Sequence, residues 1–228
     1  KSKLMKVHEI FPIVIGQDLF ESHEEFKLNH FEEIKMIQER NMEYNLPDFY
    51  FLHLNIKYME FFKSLKNSIE NYLILLGADP NLVNLHVVRS WVESYDSNNV
   101  CSNHHNHKSS DISFRYYLKT TDDNPDVVCF ESGSYQNELA QGILNFCNDG
   151  NMIRSLNKYN CLGYAIPPVE GSLLMFPSLL KVSTEINNEP TDARYVIAGD
   201  LKMTLKPKHY QISQSIPHTS QWLDLERY

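Results

Sequence analysis

Residues 103–119 read NHHNHKSSDISFRYYLK, and the interpretation of the whole chain starts from this stretch. It places three histidines within four positions, directly before a strand-like run that ends at Lys119. In an extended strand, successive side chains point to opposite faces, so His105 and His107 share one face and His104 lies on the other. Two imidazoles at this spacing can bind one metal ion if a third ligand comes from elsewhere in the fold. The spacing alone is equally compatible with a solvated polar loop before a strand.

The composition is that of a folded, acidic protein. The chain has 228 residues, of which 42% are hydrophobic and 12% aromatic, enough for one large domain with a sizeable core. Its net charge of −8 argues against general binding to nucleic acid or to anionic membranes, because both need basic surface. No apolar stretch approaches a membrane span, and no signal peptide is visible. The four cysteines are scattered without a CxxC pair, which is typical of reduced thiols in a cytoplasmic protein.

The first part of the chain predicts a strand and two helices. Residues 7–15 predict an opening strand interrupted by a proline, and residues 22–43 are charged with spaced apolar positions, which indicates a surface helix. Residues 56–76 predict a second helix, capped at its C-terminus by Gly77. Its apolar stripe follows a 4-3-4-3-4 spacing: Tyr58, Phe62, Leu65, Ile69, Tyr72 and Leu76. Such a stripe can bind a partner, but it more often packs on the protein's own sheet.

Short strands separated by turn signals follow from about residue 84. The candidates are Leu85 to Tyr95, Ile112 to Thr120, Val127 to Glu131, Gly163 to Ile166, Ser172 to Phe176, Leu179 to Thr184 and Arg194 to Leu205. Residues 134–160 interrupt them with a polar, partly helical insertion. We predict a single mainly β domain with flanking α-helices: a helical buttress at about 20–80, an antiparallel barrel or sandwich at about 85–205, and a polar tail at 206–228.

Several motifs, in this order, resemble one known superfamily. They are Glu9-Ile-Phe-Pro12, Ser90-Trp-Val92, His105-Asn-His107 followed by Ser110-Asp-Ile-Ser113, Tyr116-Tyr-Leu118, Val128-Cys-Phe-Glu131, Glu170-Gly-Ser-Leu-Leu-Met-Phe-Pro-Ser178 and Arg194. On these residues the chain resembles the Fe(II)/2-oxoglutarate oxygenases, most closely a group of short members from marine bacteria and their phages.

The resemblance implies a fold, two cofactors and roles for individual residues. The fold is a double-stranded β-helix, the jelly-roll or cupin-like barrel of two sheets, and the cofactors are Fe(II) and 2-oxoglutarate. His105 and His107 take the positions of metal ligands. Tyr117 and Arg194 take the positions that bind the far carboxylate of 2-oxoglutarate, a role for which a planar guanidinium and a phenol are chemically suited.

The chain departs from the family pattern at the distal metal ligand. The family places a histidine at the fourth position after the serine of Phe-Pro-Ser, and this chain has Val182 there. Its neighbour Lys181 is no substitute, because a protonated amine repels a cation. Glu185 is the nearest charged acceptor, three residues late. The metal triad is therefore expected to be incomplete.

Arg115 is the second departure. Strand alternation places Arg115 on the same face as Tyr117, inside the barrel, where the family has a small or apolar residue. A buried arginine is costly unless it is paired, so we expect a carboxylate or another anion beside it. The candidates are 2-oxoglutarate, another substrate or Glu131. An irregular strand would instead leave Arg115 on the surface.

Two functions of different class remain open from the sequence. The first is a hydroxylase-type oxygenase with a degenerate metal triad. The second is a catalytically inactive barrel that serves as a binding or assembly module and holds an anion through Arg115 and Arg194. Its polar C-terminal tail could contact a partner or a second copy, in the host cytoplasm or in a virion if the gene belongs to a phage. The sequence does not identify a substrate.

Two further readings have less support. A structural zinc site from Cys101, His104, His105 and His107 is disfavoured, because four ligands within seven residues can hardly complete a tetrahedron. A nucleophilic enzyme based on Cys101 would need an oriented base and an oxyanion hole, and no motif supplies them.

Overall fold

The computed structural model describes residues 13–44, 51–95, 105–120, 127–131, 163–185, 193–206 and 219–222. Helices α1, His23–Tyr44, and α2, Met59–Leu75, confirm the two predicted helices, and short 3-10 helices at Leu52–Leu54 and Ile56–Tyr58 precede α2. The strands are β1 Gly16–Leu19, β2 Val83–Tyr95, β3 Ile112–Lys119, β4 Val127–Glu131, β5 Gly163–Ile166, β6 Ser172–Pro177, β7 Lys181–Glu185 and β8 Arg194–Leu205. Neither helix in this part of the chain is long and apolar enough to cross a membrane.

The strands form two antiparallel sheets. The larger sheet has the order β1-β6-β3-β8-β2, and the smaller has the order β5-β4-β7. An isolated antiparallel bridge between His105 and Val182 extends the smaller sheet beyond β7. Along the sequence the chain passes repeatedly from one sheet to the other, which is the winding of a double-stranded β-helix. The predicted fold class, a mainly β barrel with flanking helices, is confirmed.

The helices pack on the outer face of the larger sheet. There, α1 and α2 side chains such as Ile34, Phe61 and Ile69 meet β3 side chains such as Phe114 and Tyr116 in one cluster. The opposite face of β3, which carries Ser113, Arg115 and Tyr117, points into the barrel, so both faces of this strand are buried. The clearest helix of the sequence is thus a buttress for the barrel.

Two sequence predictions need correction at the level of single elements. Residues 13–15 are not in a strand; the first described strand, β1, begins at Gly16, where the chain comes against β6 and the ring of Tyr72. A Cβ at Gly16 would lie 2.8 Å from Cδ2 of Tyr72, so this close approach needs glycine. In α2 the buried positions are Phe61, Leu65, Ser68, Ile69, Tyr72 and Leu73. Of the predicted stripe, Phe62 is only half-buried and Leu76 at the helix end is 46% exposed. The insertion at 134–160 and most of the tail lie outside the described residues.

Gly199 sits where β8 passes the irregularity between Val87 and Arg89 of β2. A Cβ here would lie 2.6 Å from the Arg89 carbonyl oxygen and 2.6 Å from Cε1 of Phe114.

We expect Gly199→Ala to lower the free energy of unfolding by about 1–3 kcal/mol, because backbone and a packed ring must both move. Urea unfolding measures this change. Gly77→Asn is the control, since Asn tolerates the left-handed φ of 80° and nothing lies within 4 Å; equal losses in both variants would contradict the close packing at Gly199.

Candidate functional site

The inner face of the larger sheet carries an unusual number of polar side chains. Ser113, Arg115 and Tyr117 of β3 all point into the barrel and are at most 4% exposed. In the register of the sheet, Ser113 pairs with Asp200, Arg115 with Ala198 and Tyr117 with Val196 of β8. The expected position of Arg115, inside the barrel with Tyr117, is therefore what the structure shows, and the surface alternative is wrong.

His105 and His107 lie at the mouth of the barrel with their ring centroids 5.1 Å apart. His105 is fixed by two backbone hydrogen bonds with Val182, of 3.2 and 2.9 Å. His107 is fixed by its backbone N–H, which donates to the Ser178 carbonyl at 2.8 Å. The Phe-Pro-Ser segment thus holds the histidine segment in place. His104 and Cys101 lie outside the described residues.

The imidazole of His107 is held on two sides. Its Nδ1 lies 2.9 Å from Oδ1 of Asp200, a completely buried carboxylate that also accepts from Ser113 at 2.7 Å and pairs with Arg89 at 2.6 Å. The indole of Trp91 stacks on the ring with 5.5 Å between centroids and 9° between planes. A carboxylate on one ring nitrogen fixes the tautomer and the orientation of a histidine, and it directs the other nitrogen outward.

Val182, where the resemblance to the family predicts the distal histidine, lies opposite His105. Directly paired residues on antiparallel strands project their side chains on the same face, so a histidine at 182 would lie beside the His105 ring. The valine is 1% exposed and belongs to an apolar cluster inside the barrel. The other buried members are Tyr95, Tyr117, Leu174, Phe176, Leu180 and Val196. This position therefore contributes packing and no donor atom.

The anion beside Arg115 is Glu93 of β2, not the Glu131 considered from the sequence. Nη2 of Arg115 lies 2.5 Å from Oε2 of Glu93 and also donates to Tyr95 Oη at 2.8 Å and Thr184 Oγ1 at 3.1 Å. Glu93 accepts two further hydrogen bonds, from Trp91 Nε1 at 2.9 Å and from the Tyr95 hydroxyl at 2.5 Å. The pair neutralises two charges that neither residue could carry alone in this interior.

The electrostatics of the pair follow from burial and proximity. Burial alone would raise the pKa of Glu93, but Arg115 and the hydrogen bonds from Tyr95 and Trp91 together hold that pKa below its usual value. Burial alone would lower the pKa of Arg115, and the adjacent Glu93 raises it above its usual value. Burial raises the pKa of the Tyr117 phenol to about 12, with Arg115 acting in the opposite direction. Both partners of the pair are therefore charged, and Tyr117 is neutral, over the whole physiological pH range.

Arg194 of β8 and Tyr117 of β3 are the expected carboxylate clamp. Both are buried, and their strands are neighbours in the larger sheet. Arg194 pairs with Tyr95 of β2, and Val196, two residues further along β8, pairs with Tyr117 of β3. Arg194 is 3% exposed, and burial lowers its pKa. These positions are compatible with the clamp, which stays a prediction.

The donors at the barrel mouth do not fit the metal that the family uses. A facial triad needs three ligand side chains, and the described residues place only His105 and His107 together there. Glu93 lines the same cavity, but its carboxylate already accepts from three donors. Glu185 ends β7, and its side chain lies outside the described residues.

A group of three metal-type donors does occur in the described residues, away from the barrel mouth. His23, Glu24 and Glu170 bring ligand atoms within 4.8 Å of one another. Glu170, however, pairs with Lys27 and accepts from the Thr120 backbone N–H at 2.8 Å. The Nδ1 of His23 is 2.6 Å from the buried Tyr116 hydroxyl. These contacts explain the cluster as an anchor for the start of α1.

Sequence reasoning missed Asp200 and Glu93. Asp200 was detectable as a carboxylate that directly follows the apolar residues 196–199 of β8, where an unpaired charge would be costly. Glu93 lies between Trp91 and Tyr95 at alternate positions of the predicted strand, so all three side chains lie on the same face. Two large aromatic side chains on that face indicate that it is the inner one. Their partners, His107 and Arg115, are distant in sequence, so only the folded register reveals the pairs.

Comparisons with known proteins agree with the fold and the family. Residues 89–200 match the model of the family described as "Putative 2OG-Fe(II) oxygenase". The non-heme monooxygenase ThoJ in its apo form superposes with a TM-score of 0.53 at 10% identity, over 87% of this chain and 74% of that chain. No curated protein matches the sequence significantly.

Two bacterial structures are more distant. A Pseudomonas putida prolyl-4-hydroxylase gives a TM-score of 0.48 at 12% identity, over 83% of this chain and 88% of that chain. A 2OG-Fe(II) oxygenase-family oxidoreductase from Burkholderia pseudomallei gives 0.38 at 7% identity, over 61% of this chain and only 50% of that chain. The matched region includes parts of β2 and β8, both histidines and the Phe-Pro-Ser segment. Over this region, just under half of the chain, the sequence matches the 2OG-Fe(II) oxygenase family, whose cofactors are Fe(II) and 2-oxoglutarate.

Proposed function

We propose that this superfamily member has lost the iron-dependent reaction and that its barrel works as a binding module. The observation that carries the proposal is the pairing of Val182 with His105. The backbone is in register for a third imidazole, yet the side chain in that place is a buried valine with no lone pair. Two imidazoles alone make a weak site for Fe(II), since stable centres of this kind use three protein ligands.

The Arg115–Glu93 pair supports the same proposal. A guanidinium inside the barrel repels a cation, and the low dielectric of the interior strengthens that repulsion. Glu93 offsets the charge, but its carboxylate is then engaged with Arg115, Tyr95 and Trp91. Both changes from the family pattern, at 115 and at 182, therefore weaken metal binding.

A ligand would enter through the cavity at the barrel mouth, which has a volume of about 620 Å³. Its lining combines the Trp91 indole and the imidazoles of His105 and His107 with the side chains of Lys108, of Arg89, which is paired with Asp200, and of Glu93, which is paired with Arg115. Aromatic walls with hydrogen-bond donors favour a small planar or anionic molecule. We therefore propose a small anionic ligand at this mouth, in a protein that acts in the cytoplasm.

The loss of activity is tested by turnover of 2-oxoglutarate by the purified full chain with Fe(II), ascorbate and oxygen. We expect no succinate above the level formed by His105→Ala, because neither protein assembles the triad. Succinate formation by the wild-type chain at the ordinary rate of the family, abolished in His105→Ala, would overturn the proposal. Glu185 or Glu93 would then have to be the third ligand.

A second candidate, an oxygenase with an altered metal shell, is favoured by one observation. The contact between His107 Nδ1 and Asp200 is the arrangement that orients imidazoles for metal binding in many metalloproteins. In this candidate His105 and His107 bind Fe(II), and Tyr117 and Arg194 bind the far carboxylate of 2-oxoglutarate. It requires that Arg194→Lys weaken 2-oxoglutarate binding in calorimetry, because an ammonium cannot reproduce the planar fork of a guanidinium. Unchanged affinity, or no binding by the wild-type chain, would remove this candidate.

A further inference from the structure

The carboxylate of Glu93 is surrounded like a bound ligand. Trp91 Nε1 donates to Oε1 at 2.9 Å, while the Tyr95 hydroxyl and Arg115 Nη2 each lie 2.5 Å from Oε2. Three donors of three different side chains thus converge on the two oxygens. A guanidinium and a phenol directed at one carboxylate are the usual components of a carboxylate-binding site.

The donors are held in place without help from Glu93. Tyr95 packs in the inner apolar cluster, and its ring lies 5.9 Å from the guanidinium carbon of Arg115. Arg115 also donates to Thr184 across the barrel, on β7. Arg115 is 3% exposed, whereas the Glu93 side chain, at 16%, reaches the wall of the mouth cavity. The cation is therefore built into the barrel, and the carboxylate lies between it and the entrance.

The site also offers more donors than Glu93 uses. Nε of Arg115 and the Tyr117 hydroxyl are buried, and within the described residues neither makes a hydrogen bond of good geometry. Buried donors without partners are costly, and they mark places where a further acceptor would be favourable. Glu93 contacts Arg115 through one nitrogen only. The paired hydrogen bonds that a guanidinium can donate to a carboxylate are therefore not both made.

We propose that the inside of the barrel contains a carboxylate-binding site, formed by Arg115, Tyr95 and Trp91, which the chain occupies with its own Glu93. External carboxylic acids are then excluded from this site by an intramolecular competitor at very high effective concentration. The site accepts a small carboxylate once Glu93 is removed. This inference does not depend on the proposed loss of oxygenase activity, because it concerns a site that involves no metal.

Rescue by acetate tests the inference in the full-length chain. Glu93→Ala removes the carboxylate and leaves space of about the size of acetate. Its urea unfolding is measured in rising sodium acetate, with sodium chloride keeping the ionic strength constant. We expect a saturable gain in stability, in which the apparent folding constant rises about tenfold when acetate reaches ten times its dissociation constant. The refolding yield is recorded as well, so that a variant unfolded in plain buffer still gives a result.

Three controls separate the site from general salt effects. The wild-type chain should not respond, because Glu93 fills the site. Glu93→Ala in acetamide should not respond, because the neutral isostere lacks the charge. Glu93→Ala with Arg115→Met should not respond to acetate, because the cation is gone. The inference is overturned if acetate neither stabilises nor refolds Glu93→Ala, or if it stabilises the Arg115→Met double variant to the same extent.

Discussion

Replacing Arg115 by Met while Glu93 remains should lower the free energy of unfolding by about 3–5 kcal/mol, the usual cost of leaving one member of a buried ion pair uncompensated. Arg115 is 3% exposed and the Glu93 side chain 16%, so solvent screens this pair little. Urea unfolding at neutral pH measures the loss.

Replacement of both partners is the informative control. Glu93→Leu with Arg115→Met should recover most of the lost stability, because two apolar side chains of similar volume need no compensation. Lys202→Met, which breaks the more exposed pair with Asp111, should cost no more than about 1 kcal/mol; both of its side chains are 28% exposed. If Arg115→Met costs no more than Lys202→Met, the interior ion pair does not have the role assigned to it.

Val182→His should produce the largest gain in metal affinity available from one substitution. The backbone of residue 182 is already paired with His105, so the new imidazole would lie beside the existing two. We expect affinity for Co(II) to rise by on the order of 10- to 100-fold, comparable to the effects of altering the surroundings of a metal ligand. Visible absorption of bound Co(II) reports both the affinity and the coordination.

The Arg115–Glu93 ion pair determines which substitutions should be combined with Val182→His. Arg115→Val on its own would remove the repelling cation but leave Glu93 buried and unpaired. The better background is therefore Glu93→Leu with Arg115→Val, in which Val182→His should bind Co(II) more tightly still. Val182→Leu is the matched control, because it has no donor atom and should leave Co(II) affinity unchanged. An equal effect of His and Leu at 182 would show that this residue does not face the metal site.

The sequence was sufficient for the architecture and for much of the site. Residues 56–76 predicted α2 because the helical period of an apolar stripe is a strong local signal. The parity of Ser113, Arg115 and Tyr117 predicted which side chains enter the barrel. Both inferences depend only on neighbouring residues, and both agree with the structure.

The partners of the buried polar groups could not be obtained in the same way. Arg115 predicted an anion nearby, but the sequence does not say whether that anion is Glu93 or Glu131. Only the fold shows that β2, which carries Glu93, lies beside the Arg115 guanidinium, which also contacts Thr184 of β7. Likewise, the contact between His107 and Asp200 joins residues that are 93 positions apart. Such pairs are set by sheet register, which local patterns do not specify.

The iron content of the wild-type protein tests the central claim most directly. The purified full chain is loaded anaerobically with Fe(II) and 2-oxoglutarate, dialysed against metal-free buffer and analysed for iron per chain. With a valine at 182 and Arg115 inside the barrel, we predict iron far below one atom per chain, little different from that of His105→Ala. One tightly held iron per wild-type chain, lost in His105→Ala, would contradict the account and would show that another residue completes the triad.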